Sequence, residues 1–226
     1  MSSFSEEIRT KTNSIWTAIF EHPFVRGIGK GILDTDKFEF YLKQDYIYLI
    51  DFSRVFALAS AKARQLADMG YFATLLNATL NMEMDLHRRT CADFGISAEE
   101  LEKTKPGMTT ISYTNFLVKT CYEETLQGIL SVLLPCAAGY VEIAQKLKKA
   151  GLPDQKHYRD WIETYSSKDF ADFADWLKIH LDQLLLSSSD EDKEHWFQLY
   201  LNSSRFEYMF FDMSWNMKFW PKEISI

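Results

Sequence analysis

From Thr35 to about Ala63 the chain runs without a glycine or a proline. Phe38, Tyr41, Leu42, Tyr46, Leu49, Ile50, Phe52, Val55 and Phe56 would fall on almost every side of a helix over this stretch. A helix that is apolar all round offers no face to water, so it belongs at the centre of a bundle. The rest of the chain must then supply the helices that cover it.

The remaining segments fit that demand. Only 9 glycines and 5 prolines occur in 226 residues, and apolar positions recur near every 3.6 residues, which reads as all-α. A first helix is expected over about Ser3–Phe20, with Ser3 and Glu6 spaced as a capping box. His22-Pro23 ends it, and a short helix reaches the glycines at 29–31. Further helices are expected over Asp68–Phe94, capped by Gly95, and, after the Lys105-Pro106-Gly107 loop, over Ile111–Tyr122 and Leu126–Ala150. Three more are expected over Gln155–Tyr165, Lys168–Leu186 and Glu191–Trp220, with a turn and N-cap at Ser187–Glu191. No repeat, low-complexity tract or linker divides the sequence, so a single helical domain over 1–226 is expected.

Composition narrows the function classes. The net charge of −7 and the lack of basic runs argue against nucleic acid or an anionic membrane as partner. No stretch reaches the ~18 uninterrupted apolar residues of a membrane span. Glu6, Glu7, Arg9 and Lys11 stand where a signal peptide needs an apolar run. The three cysteines, Cys91, Cys121 and Cys136, are too few and too scattered for a disulfide framework or a zinc site. A cytoplasmic protein is expected.

Several polar groups sit where a core should be. Cys136 follows Pro135 in the apolar stretch Leu133–Tyr140; proline has no N–H for the Ser131 carbonyl, and such an interruption can open a pocket beside the thiol. The plain alternative is a cysteine packed as a small hydrophobe. Tyr140 lies one turn on, on the same face. Asp45 stands inside the apolar helix, with Tyr48 on its face and Asp51 further along; a solvated edge is the alternative. Glu207 lies among Phe206, Tyr208, Phe210 and Phe211, where a carboxyl of raised pKa could act as an acid or base, or could be salt-bridged. Tyr113 and Tyr165 flank neighbouring helices and could be core. Glu83 and His87 lie four apart, but no second such pair completes a metal site, and His22, His157 and His195 read as solvent-facing. No nucleophile elbow or phosphate loop occurs. No metal and no cofactor are expected.

These residues resemble a known family. The segments Tyr41–Leu49, Glu83–His87, Ser112-Tyr113-Thr114, Leu134-Pro135-Cys136, Trp161–Tyr165 and Ser203–Tyr208, in this order and over nearly the whole chain, are similar to the TenA, or thiaminase II, family of aminopyrimidine aminohydrolases. The resemblance implies a haem-oxygenase-like helical bundle and a homotetramer working without metal on a small molecule, an aminopyrimidine or thiamin. It implies Cys136 as nucleophile, Glu207 as acid/base, Asp45 as the carboxylate that holds the ring, and Tyr48, Tyr113, Tyr140 and Tyr165 as pocket tyrosines. The chain departs from many relatives in carrying Ala137, Ala138 and Gly139 after the thiol, and Phe206 where tyrosine is common. Two other readings on this fold are a non-catalytic thiamin- or pyrimidine-binding regulator and a haem- or di-iron redox enzyme.

Overall fold

The computed structural model describes residues 2–221, which are all-α with no strand. In chain order the helices are α1 (Phe4–Lys11), α2 (Asn13–Glu21), α3 (Pro23–Lys30), α4 (Thr35–Lys62), α5 (Leu66–Ala78), a π turn (Thr79–Glu83), α6 (Met84–Asp93), α7 (Ala98–Lys103), α8 (Met108–Glu123), α9 (Leu126–Ala150), α10 (Lys156–Tyr165), α11 (Lys168–Leu184) and α12 (Asp190–Asn216). They divide into two compact units, 2–34 with Leu130–Asp212 and Thr35–Ile129 with 213–221.

The first unit contains α1–α3, most of α9, α10, α11 and most of α12. The Ser3/Glu6 capping box is present: Ser3 Oγ accepts from the Glu6 N–H at 3.3 Å, and the Glu6 carboxylate accepts from the Ser3 N–H at 3.1 Å. The helix expected to reach Phe20 unbroken is interrupted at Thr12. Thr12 is buried, and its hydroxyl donates back to the Ile8 carbonyl at 2.9 Å, the local bond by which threonine competes with a continuing helix. His22 is not solvent-facing but 4% exposed. Its Nδ1 accepts from the Phe24 N–H at 3.2 Å and caps α3. That helix ends at Gly31, whose φ of +67° suits glycine.

Helix α9 passes through Pro135 without ending. By length and composition alone α9 could cross a membrane, but 78% of its most apolar stretch is buried in the protein, as in a core helix. About one turn after the proline, Gly139 meets Trp16: a Cβ built there would lie 2.1 Å from the indole Cη2. Gly139 therefore has a packing role, because the indole, not a side chain of α9, fills that space.

The second unit is built around α4, with α5, α6 and α8 packed against it. Phe38, Tyr41, Tyr46, Val55, Phe56 and Ala59 are at most 1% exposed, which matches a helix apolar all round. The segment expected as one helix to Phe94 changes character at the π turn, whose wider winding rotates the residues beyond it. Gly95 follows α6 at φ +77°, as a C-terminal glycine should. Helix α7 was not expected; Ser97 caps it by accepting from the Glu100 N–H at 3.1 Å.

Gln44, also on α4, governs the start of α8. Its Nε2 donates to the Lys105 carbonyl at 3.1 Å, and its Oε1 accepts from the Gly107 N–H at 2.8 Å and the Thr110 hydroxyl at 2.6 Å. A buried amide satisfied in this way orients the loop and the helix behind it. The helix expected to reach Trp220 stops at Asn216. Met217 turns to φ +48°, and the Phe219 carbonyl accepts from the Met108 N–H at 3.2 Å, tying residues after α12 to the start of α8.

Candidate active site

The seven residues singled out in the sequence fall into two sets. Cys136, Tyr140, Tyr165 and Glu207 lie in the first unit; Asp45, Tyr48 and Tyr113 lie in the second.

In the first unit, two contacts establish how α9 and α12 align. The Ser203 hydroxyl donates to the Val132 carbonyl at 2.7 Å. Eight residues further along both helices, the Tyr140 and Phe211 rings lie 5.7 Å apart. The helices thus advance in the same direction through this stretch. Cys136, midway between Val132 and Tyr140, is level with Glu207, midway between Ser203 and Phe211. Each four-residue step turns only about 40° further around a helix, so Cys136 and Glu207 lie between the two contacts on their helices' surfaces. Glu207 is 2% exposed, while Cys136 is half-buried.

An aromatic cluster adjoins this level. Tyr140 lies 4.8 Å from Tyr165 and 5.7 Å from Trp161, and Tyr165 lies 4.9 Å from Phe170 in an edge arrangement. Trp161 and Phe170 were not singled out as site residues. For Phe170 the sequence carries only a short spacing after Tyr165, across a helix break whose angle the spacing does not encode.

None of the three cysteines forms a disulfide. Cys91 and Cys121 are fully buried, and burial pushes each thiol up to about 12. Neither supplies thiolate at neutral pH. Cys136 alone of the three has exposed surface.

In the second unit, Asp45 is 7% exposed on α4, and Tyr48 follows one turn on at 5%. The Tyr48 ring lies 5.3 Å from that of Tyr113 on α8 and 5.3 Å from Phe52. Because Gln44 orders the loop into α8, the amide beside Asp45 also places Tyr113. Asp51, by contrast, is half-exposed and paired with Arg54, the solvated edge of the helix. Across from Asp45, His87 Nδ1 lies 3.7 Å from Oδ2. Its Nε2 is 2.6 Å from the Leu42 carbonyl, and burial lowers its pKa. In the sequence His87 carries no site role: it is half of an incomplete metal motif and the end of one segment that carries the resemblance. Among the described residues no group of three or more His, Cys, Asp or Glu side chains could hold a metal ion.

Comparison with known proteins adds to this geometry. The sequence profile of the TENA/THI-4/PQQC family matches residues 9–217. An aminopyrimidine aminohydrolase of Halalkalibacterium halodurans is 43% identical, covering 96% of this chain and 98% of its own. A solved TenA homologue from P. horikoshii OT3 superposes with a TM-score of 0.88 at 28% identity, covering 95% of this chain and 99% of its own. A domain with a heme oxygenase-like fold from Shewanella denitrificans superposes at 0.70 with 17% identity, over 94% of this chain and 90% of its own; that likeness shows the fold.

Proposed function

Because the chain belongs to the TENA/THI-4/PQQC family, we propose that it is an aminopyrimidine aminohydrolase. In this reading it converts 4-amino-5-aminomethyl-2-methylpyrimidine and water into the 5-hydroxymethyl pyrimidine and ammonia, and thiamin into the same pyrimidine and the thiazole. The observation that carries the reading is the register of α9 against α12, which sets the half-buried Cys136 level with the buried Glu207.

Cys136 adds to the electron-poor ring carbon, and Glu207 takes the thiol proton as the bond forms. An ordinary thiol, with a pKa near 8.5, is only a few per cent thiolate at neutral pH, so a base within reach matters. The proton then goes to the departing amine. Water adds at the exocyclic methylene and gives a proton to Glu207, and the ring expels the cysteine as thiolate, which takes that proton back. With thiamin the thiazole leaves neutral and the first proton is released to water. Tyr140 and Tyr165 wall the flat ring, and Asp45, Tyr48 and Tyr113 hold its polar edge. The family resemblance further supports a homotetramer that needs no metal, and the sparse, scattered cysteines support a cytoplasmic protein.

The test is product formation from the aminomethyl pyrimidine and from thiamin, side by side, for the parent and Cys136→Ser. Ammonia release faster than thiazole release, lost in the variant, is expected. Equal rates in parent and variant would overturn the Cys-dependent mechanism. Ligand-induced thermal stabilisation without product would instead make the protein a binding module.

A further inference from the structure

Helix α8 opens on Gly107, which has no side chain with which to cap it. Its first groups are held from elsewhere in the second unit. The Met108 N–H donates to the Phe219 carbonyl at 3.2 Å. The Gly107 N–H and the Thr110 hydroxyl donate to Gln44 Oε1 at 2.8 and 2.6 Å, and Gln44 Nε2 donates to the Lys105 carbonyl at 3.1 Å. Backbone partners settle which way this amide points. An N–H can only donate and a carbonyl can only accept, so turning the amide over would set like against like at both. Thr110 has a second neighbour, Met213 Sδ at 3.6 Å, but sulfur is a weak acceptor and the single hydroxyl hydrogen serves the nearer amide. Gln44 is 2% exposed and Thr110 fully buried, so water does not stand in for a bond lost here.

A second contact follows about one turn along. Tyr48 lies four residues after Gln44 on α4, and Tyr113 three after Thr110 on α8, so each shares a helix face with its predecessor. The two rings are 5.3 Å apart. The helices therefore advance together from a hydrogen-bonded rung, Gln44–Thr110, to an aromatic rung, Tyr48–Tyr113. A ring pair tolerates a range of offsets and tilts, whereas short hydrogen bonds are directional. The polar rung is thus the one that sets the axial position and rotation of α8, and Tyr113 follows.

We propose that Gln44 and Thr110 are positioning residues for substrate recognition, a latch that holds Tyr113 where, beside Tyr48, it meets the pyrimidine. The inference rests on the aminopyrimidine reading above, which puts both tyrosines in the pocket. Both latch residues act through Tyr113. Breaking the latch frees the first turn of α8 to shift, and Tyr113 must then be ordered anew each time the ring binds, which weakens affinity. Cys136 and Glu207 are carried by α9 and α12, so turnover of bound substrate is kept.

The experiment pairs calorimetric binding of 4-amino-2,5-dimethylpyrimidine, which has no leaving group, with kcat on the aminomethyl pyrimidine. Thr110→Val removes one hydroxyl at nearly constant shape. It is expected to bind the ring about fivefold more weakly, with kcat within about twofold of the parent. Thr110→Ser keeps the hydroxyl and should hold affinity within about twofold. In a Tyr113→Ala background, Thr110→Val should cost less than about twofold, because the residue through which it acts is gone. If Thr110→Val fails to fold, Gln44→Met, which keeps the length of the side chain without its polar atoms, replaces it in both backgrounds. Parent-like affinity in the folded variant, or a loss that persists in full without Tyr113, would overturn the latch and leave the hydrolase reading intact. A parent that binds the ring without releasing ammonia from the aminomethyl compound would overturn the hydrolase reading and not the latch. A parent that does not bind the ring would overturn both.

Discussion

The two sets of candidate residues are built in opposite ways. In the first unit, the proposed chemistry depends on the alignment of two long helices: a hydrogen bond one turn before the thiol and a ring contact one turn after it set Cys136 level with Glu207. In the second unit, the groups gather around one central helix, where Gln44 orders the start of α8, which carries Tyr113, and His87 lies beside Asp45. The first arrangement suits a nucleophile and a base that must approach one reacting carbon. The second suits recognition of a fixed edge. The difference teaches that reaction and recognition can respond separately to substitution.

Glu207→Gln should give the largest effect. Loss of the acid/base should lower kcat by about 10² to 10⁴ while leaving KM within a few fold. Steady-state kinetics on the aminomethyl pyrimidine check this. A variant that changes KM alone would place Glu207 in recognition and break the comparison.

Glu83→Gln probes the second unit through stability. The folded carboxyl is pushed up to about 7 from 4.5, first by burial, with a bond from Thr79 opposing. A raised carboxyl means the folded state binds more protons than the unfolded one between those values, so the parent loses stability as pH rises from about 4.5 to about 7. The loss amounts to about 3 kcal/mol at most. The glutamine variant should lack this slope and be the more stable protein at pH 8, with little difference at pH 4. Urea unfolding at the two pH values measures it, and parallel slopes in parent and variant would sink the assignment.

Gly139→Ala tests the first unit's packing. The added methyl meets the Trp16 ring 2.1 Å away, and relief by movement of the indole or α9 should cost about 1–3 kcal/mol. A lowered Tm is expected, with weaker activity if α9 shifts against α12. An unchanged Tm would mean that Trp16 moves aside freely.

Much of this was legible beforehand. Apolar spacing and scarce breakers identified α4 as central, and the ends of α9 fell where expected. Ser3 and Gly95 are local signals, and both act locally as caps. The misread places were those where a distant or competing contact decides. Thr12 breaks a helix by bonding backwards, His22 is buried as a cap, the π turn changes the winding before Glu83, and α12 stops where the following residues join α8.

Within the candidate site, the sequence alone determined which chemical groups are present and which share a helix face, since the helical period depends only on neighbours along the chain. Cys136 with Tyr140, and Asp45 with Tyr48, follow from it. Tertiary structure decided what each face meets: Glu207 level with Cys136, Trp16 over Gly139, and His87 against Asp45. Those pairings depend on the axial register and rotation of helices packed across long sequence separations, which no spacing within either helix specifies.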